Sequence, residues 1–183
     1  GSDSVIIGTI APLAGGKLDG IDDLLTVSGD EDSDTITLDE SGDDERNSAI
    51  LDAATVNGFG MSGSISYEDM ESVQIQLGSG IDQLRVEGTH DGTTKIVNKA
   101  GTDTVTMIDH QGQVTFVGGP ENDKLLLDSS YLRVDGNTLK TPLNKITKMV
   151  DGRQVQGYWE FDSGKGLIVF ESVERFNQIS KLV

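Results

Sequence analysis

Three aspartates, Asp82, Asp103 and Asp123, stand 21 and then 20 residues apart, and each is followed by apolar residues at the second and fourth places (Leu84 and Val86, Val105 and Met107, Leu125 and Leu127). If each aspartate opens an equivalent strand, the three carboxylates fall into one column about 5 Å apart. Like charges at that spacing repel unless they are screened, hydrogen-bonded or bridged by a cation. Calcium, a hard ion that takes six to eight oxygen ligands, fits such a column. The competing reading is that each aspartate caps its own turn by accepting backbone N–H bonds.

Other residues carry weaker chemical signals. Asp30, Asp32 and Asp34 in "DEDSD" imitate the first positions of an EF-hand loop. The imitation fails, because Thr35 stands where glycine is needed and Ser41 where the bidentate glutamate belongs. A weak calcium site and a solvated acidic loop both remain open there. His90 and His110 lie 20 residues apart, each beside an aspartate (Asp91, Asp109). They suit a transition metal only if a third ligand joins them, and stacked exposed turn residues are the plainer reading. Tyr158 and Trp159 offer a stacking platform for a glycan, or else a plug that closes the end of a stack. No residues are assigned to catalysis: the chain has no cysteine, no nucleophile elbow and no phosphate loop. Arg85, Lys95 and Lys99, the cations a lyase or epimerase would want among carboxylates, are scattered along the chain.

The elements that must position these residues are short strands. The pattern of an aspartate followed by alternating residues recurs from Asp23 and Asp34 as well, with the period of a strand that buries one face. A second strand follows in the later units, at 94–98, 113–118 and 131–136. A unit of about 20 residues cannot bury its own apolar face, but stacked units share a core. A longer echo, "GSISYEDMESV" at 63–73 against "GLIVFESVERF" at 166–176, has an offset of 103 residues, as five units of about 20.6 would give. These spacings predict an all-β fold, a parallel β-helix or β-solenoid of 20–21 residues per coil and roughly eight coils, in one domain spanning 1–183. Regular coils are expected at about 20–38 and 63–136. Irregular insertions are expected at 39–62, with a strand-like piece at 49–56, and at 138–166, as a decorated coil or hairpin.

Composition agrees with many strands and tight turns, with 23 glycines, three prolines and 35% hydrophobic residues. A formal charge of −17 repels nucleic acid and anionic membranes and attracts cations. No apolar run is long enough to span a membrane. Gly1-Ser2 reads as an expression scar, and the chain as a fragment of a longer protein.

The stretches "LDESGDD" and "LDAATVNGFGMSGSISYEDMESVQIQLGSGIDQLRVEGTHDGTTKIVNKAGTDTVTM" resemble the tandem β-strand repeats of very large bacterial surface and extracellular proteins. Those repeats are distantly like the hemolysin-type (RTX) calcium-binding repeats. The resemblance implies a parallel β-helix or β-roll, secretion, and a structural or adhesive role at the cell surface. It implies no catalysis. Departures are clear: "GGPENDKLL" has Glu121 in place of the third glycine of the calcium nonapeptide, and one turn motif per 20–21 residues replaces two per 18. The expected partners are neighbouring repeats of the same chain and a glycan or cell-surface molecule. A glycan-binding module and a β-helix lyase or epimerase are the alternatives.

Overall fold

A computed structural model of the protein describes residues 1–128, 148–150, 153–155, 157–159, 167–173 and 175–179. All regular structure among them is β: β1 (Ser4–Ile7), β2 (Leu24–Ser28), β3 (Thr35–Asp39), β4 (Ser48–Leu51), β5 (Thr55–Gly58), β6 (Ser64–Glu68), β7 (Ser72–Gln76), β8 (Gln83–Val86), β9 (Thr93–Val97), β10 (Thr104–Met107), β11 (Gln113–Val117), β12 (Lys124–Asp128), β13 (Lys148–Val150), β14 (Arg153–Val155), β15 (Gly157–Trp159), β16 (Ile168–Glu171) and β17 (Arg175–Ile179). No described helix is long and apolar enough to cross a membrane.

The chain passes alternately between two sheets rich in parallel strands. The first runs β1-β3-β7-β9-β11-β16, with β15 added antiparallel beyond β16. The second runs β2-β6-β5-β4-β8-β10-β12-β17. Where no insertion intervenes, successive partners are separated by the expected spacing: Gln83 faces Thr104, Thr104 faces Lys124, and Thr93 faces Gln113.

Alternation in the sequence becomes alternation of burial. Leu84, Val105 and Leu125 form one inward row, and Val86, Met107 and Leu127 form the next. From the other sheet, Leu38, Ile75, Ile96, Phe116 and Phe170 stack in the same way. These rows meet in a single hydrophobic cluster. Intervening residues such as Thr37, Gln74, Lys95 and Thr115 face outward, so each strand needs only one apolar face.

Three expectations change. The stretch 48–68 is a three-strand antiparallel meander, β4-β5-β6, inserted into the second sheet between β2 and β8. Gly58 permits it: its φ is +103°, and a β-carbon there would meet Ser48 O at 2.2 Å. Second, among the described residues the first sheet holds six strands in parallel, where about eight coils are expected over the whole chain; residues 8–23 and 48–58 add none to it.

Third, the 103-residue echo is not a shift of five units. It matches β6 of the second sheet to β16 of the first. What recurs is a corner: a strand, a residue in the left-handed region (Asp69, φ 54°; Ser172, φ 51°), then a buried apolar residue (Met70; Val173). Both crossings between sheets use the same local solution. In 138–166, β13 and β14 pair antiparallel, as in a hairpin. The strand expected at 131–136 lies outside the described residues.

Candidate functional site

The position immediately before each strand is where the sequence places its acids, and the parallel register stacks those positions. Asp82, Asp103 and Asp123 precede β8, β10 and β12 and are all buried. Their contacts run in one direction. The Asn47 N–H donates to Asp82 Oδ1 (2.9 Å), the Asp82 N–H to Asp103 Oδ1 (2.6 Å), and the Asp103 N–H to Asp123 Oδ1 (2.9 Å). Each carboxylate therefore fastens its own strand entry to the one before it. Asp123 also accepts from the Asn98 side-chain amide (3.0 Å) and, on Oδ2, from the Gly119 N–H (2.7 Å). One oxygen of each aspartate thus accepts a backbone N–H, and these bonds run across repeats rather than within the aspartate's own turn as the capping reading expects.

A second column, which sequence reading missed, lies at the entries to the other sheet. The Asp3 N–H donates to Asp34 Oδ1 (2.7 Å), and the Asp34 N–H to Glu71 Oε2 (2.6 Å). Asp34 Oδ2 takes the Asp30 N–H (2.8 Å), four residues back, as Asp123 takes Gly119. These donors hold the Asp34 carboxyl below its ordinary range, the Asp30 N–H foremost. The triplet read as one acidic cluster is thus divided. Asp34 is a buried fastener, whereas the Asp30 and Asp32 side chains are 56% and 62% exposed. Their Oδ2 atoms converge on the Gly1 amine, at 3.2 and 3.0 Å.

Electrostatics set Asp103 apart. Burial pushes its carboxyl up to about 7, helped by the charges of Asp82, Asp123 and Glu121 and opposed by the Asp82 N–H. Its Oδ2 is buried with no hydrogen-bond partner. The N–H groups of Ala100 and Gly101 in its turn are used elsewhere, on Gly78 O (3.3 Å) and Glu121 Oε2 (3.2 Å). Burial also raises Asp82, against the N–H groups of Asn47 and Gly78.

The first column begins at a buried acid pair. Burial raises Glu40 to about 8, with the Asp43 carboxylate beside it adding to the effect. Asp43 stays near 2 although burial opposes this, because Lys17 Nζ lies 2.7 Å away and the Glu45 N–H and the Asn47 side-chain amide also donate to it. The Asn47 backbone N–H then starts the column through Asp82. A hydrogen-bonded path thus runs from Lys17 to Asp123, and along it Asp43 is held low while Asp82 and Asp103 are both raised.

Glycines let the corners come this close. A β-carbon on Gly101 (φ +103°) would lie 1.7 Å from Gly80 O, and one on Gly80 1.7 Å from Glu45 O. Glycine next to carbonyl in successive repeats is therefore part of the same fastening as the acids.

The remaining candidates do not converge on a common centre. His90 and His110 occupy equivalent positions one repeat apart, but His110 is fully buried rather than an exposed turn residue. His90 packs edge-on against Tyr67, with ring centroids 6.2 Å apart. Arg85 pairs with Glu87 (2.7 Å), and Lys99 donates to Ser41 O (2.9 Å). Tyr158 and Trp159 sit in β15 beside β16, and their side chains lie outside the described residues. Among the described residues, no group of three or more His, Cys, Asp or Glu side chains is placed to hold a metal. A groove of about 530 Å³ opens on the second sheet beside the β4–β5 turnback, with Ile50, Asn57, Gln83, Arg85 and Thr104 in its lining. No family model, curated protein or solved structure matches this chain.

Proposed function

We propose that the chain is a structural or adhesive segment of a repetitive extracellular or cell-surface protein, a parallel β-solenoid of 20–21 residues per coil. The observation that carries this reading is the in-register column Asn47–Asp82–Asp103–Asp123, in which every repeat is bonded to the next through a buried carboxylate. Such a stack keeps its acids inside its corners and turns polar residues such as Thr37, Gln74, Lys95 and Thr115 outward, as suits a spacer or a presenting surface. Single-molecule pulling from the two ends tests it. The expected trace is a series of ruptures, each releasing one or more repeats of at most about 70 Å, the extended length of about 20 residues. A chain that extends without a resolvable rupture force is not a load-bearing spacer.

Calcium enters this reading at the exposed pair Asp30 and Asp32 rather than at the amide-filled column. Glycan binding is a second reading, favoured by the groove on the second sheet, whose hydroxyl, amide and guanidinium groups suit sugar hydroxyls. Loss of retention on immobilised glycans in Gln83→Ala, with stability unchanged, would support this groove; loss in Trp159→Ala alone would point to β15 of the first sheet instead.

A further inference from the structure

The stack is finished differently along its length. Inward positions of later strands are fully covered: Ile36 and Leu38 in β3 and Ile65 in β6 are 0% exposed. The equivalent inward positions of the first strands, Val5, Ile7 and Val27, are only partly buried, and Leu25 is 37% exposed. The cause is topological. β1 and β2 are the outermost strands of their sheets, so the core opens on their side. Among the described residues, five of the seven large exposed apolar side chains, Ile6, Ile10, Leu13, Leu24 and Leu25, lie in β1, β2 or the loop between them.

The strand-entry acids repeat the contrast. Asp34, Asp82, Asp103 and Asp123 are buried and accept an N–H from the preceding repeat. Asp3 and Asp23 hold the same position before β1 and β2 and are exposed.

We propose that this edge is a docking surface for one further strand–corner–strand unit of the chain's own kind. It adds parallel to β1 and β2 and donates its two strand-entry N–H groups to Asp3 and Asp23. The inference rests on the stacked-repeat reading and specifies its partner. Register supports it, since every described acid in the two columns accepts from the side on which this unit would lie. Charge disfavours a second copy as the occupant. Two such edges face to face would oppose Asp3 and Asp23 with their own copies, with no N–H aligned, in molecules of net charge −17. An unpaired, partly apolar strand edge also templates strand addition.

The test places a copy of residues 92–111 directly before Asp3, which supplies Gly92 and Asp103 as the two strand-entry donors. Hydrogen exchange of the β1 and β2 amides is expected to slow about tenfold or more, with a higher urea midpoint. Asp3→Ala with Asp23→Ala should remove much of that protection while leaving the parent chain's stability unchanged. Three results would overturn the proposal: unchanged exchange, equal protection from a copy with scrambled apolar order, or a parent dimer in sedimentation that protects these strands by itself. The pulling experiment reads the stack as a whole, so it stands or falls separately from this edge.

Discussion

Replacing Asp103 with asparagine removes a charge from the middle of the column while keeping its shape. The amide oxygen of Asp103→Asn can still accept the Asp82 N–H, which the native Oδ1 holds at 2.6 Å. The amide NH2 takes the place of Oδ2, which is buried with no partner. An unfolded aspartate titrates at about 3.9. In the fold Asp103 titrates at about 7, burial being the main cause. The folded value is the higher, so the native state carries no penalty from this group below about pH 4, and the penalty grows as pH rises to about 7. At about 1.4 kcal/mol per pH unit the ceiling is about 4 kcal/mol, and partial relaxation of the site leaves about 2–4. Urea unfolding followed by far-UV circular dichroism at pH 4.5 and pH 8 measures it. About 1 kcal/mol of the penalty is already present at pH 4.5, so the variant should gain about 1–3 kcal/mol over wild type at pH 8 relative to its difference at pH 4.5. Glu40, raised to about 8, titrates in both proteins and cancels in the comparison. The same variant-minus-wild-type difference at both pH values would refute the claim that a buried, poorly satisfied acid lies at this position.

Other outcomes follow from the same geometry. Asp103→Ala should destabilise by about 1–3 kcal/mol at pH 4.5, since it leaves the buried Asp82 N–H without its acceptor; equal stability there would mean the bond across repeats is dispensable. Gly101→Ala puts a β-carbon 1.7 Å from Gly80 O at a φ of +103°, so a loss of more than about 2 kcal/mol is expected in the same unfolding assay. Phe116→Ala empties a fully buried site between Ile96 and Phe170 and should cost about 3–5 kcal/mol, read as a lowered urea midpoint with a similar slope. Any rise in melting temperature produced by millimolar calcium should disappear in the double variant Asp30→Asn, Asp32→Asn. Persistence of the rise would return the ion to the buried column.

Legibility in the sequence followed the spacing between repeats. Asp82, Asp103 and Asp123 could be read because no insertion separates them, so their offsets of 21 and 20 residues are also their spatial offsets. Asp3, Asp34 and Glu71 form the same kind of column with offsets of 31 and 37, lengthened by the loops and the meander between them. A change from aspartate to glutamate hid them further. Asp34 reads both as a strand-opening aspartate and as a member of the acidic triplet; the strand-entry position decides, burying it while Asp30 and Asp32 stay in solvent. The echo of 63–73 in 166–176 was visible because the corner has strict local needs, a left-handed residue and then an apolar one. Which sheet each corner leads into depends on long-range pairing, which a local pattern does not encode. The strands of the 48–58 turnback were suggested by their apolar residues, but their antiparallel placement depends on Gly58 packing against Ser48.

The central claim is that the repeats are joined by carboxylates accepting N–H bonds from the repeat before. Scalar couplings across hydrogen bonds report such contacts directly. In a calcium-free sample labelled with ¹⁵N and ¹³C, the Asp82 amide nitrogen should correlate with the side-chain carboxyl carbon of Asp103, and the Asp103 nitrogen with that of Asp123. Absent correlations, together with carboxyl resonances of Asp82, Asp103 and Asp123 that move on calcium addition, would contradict the account.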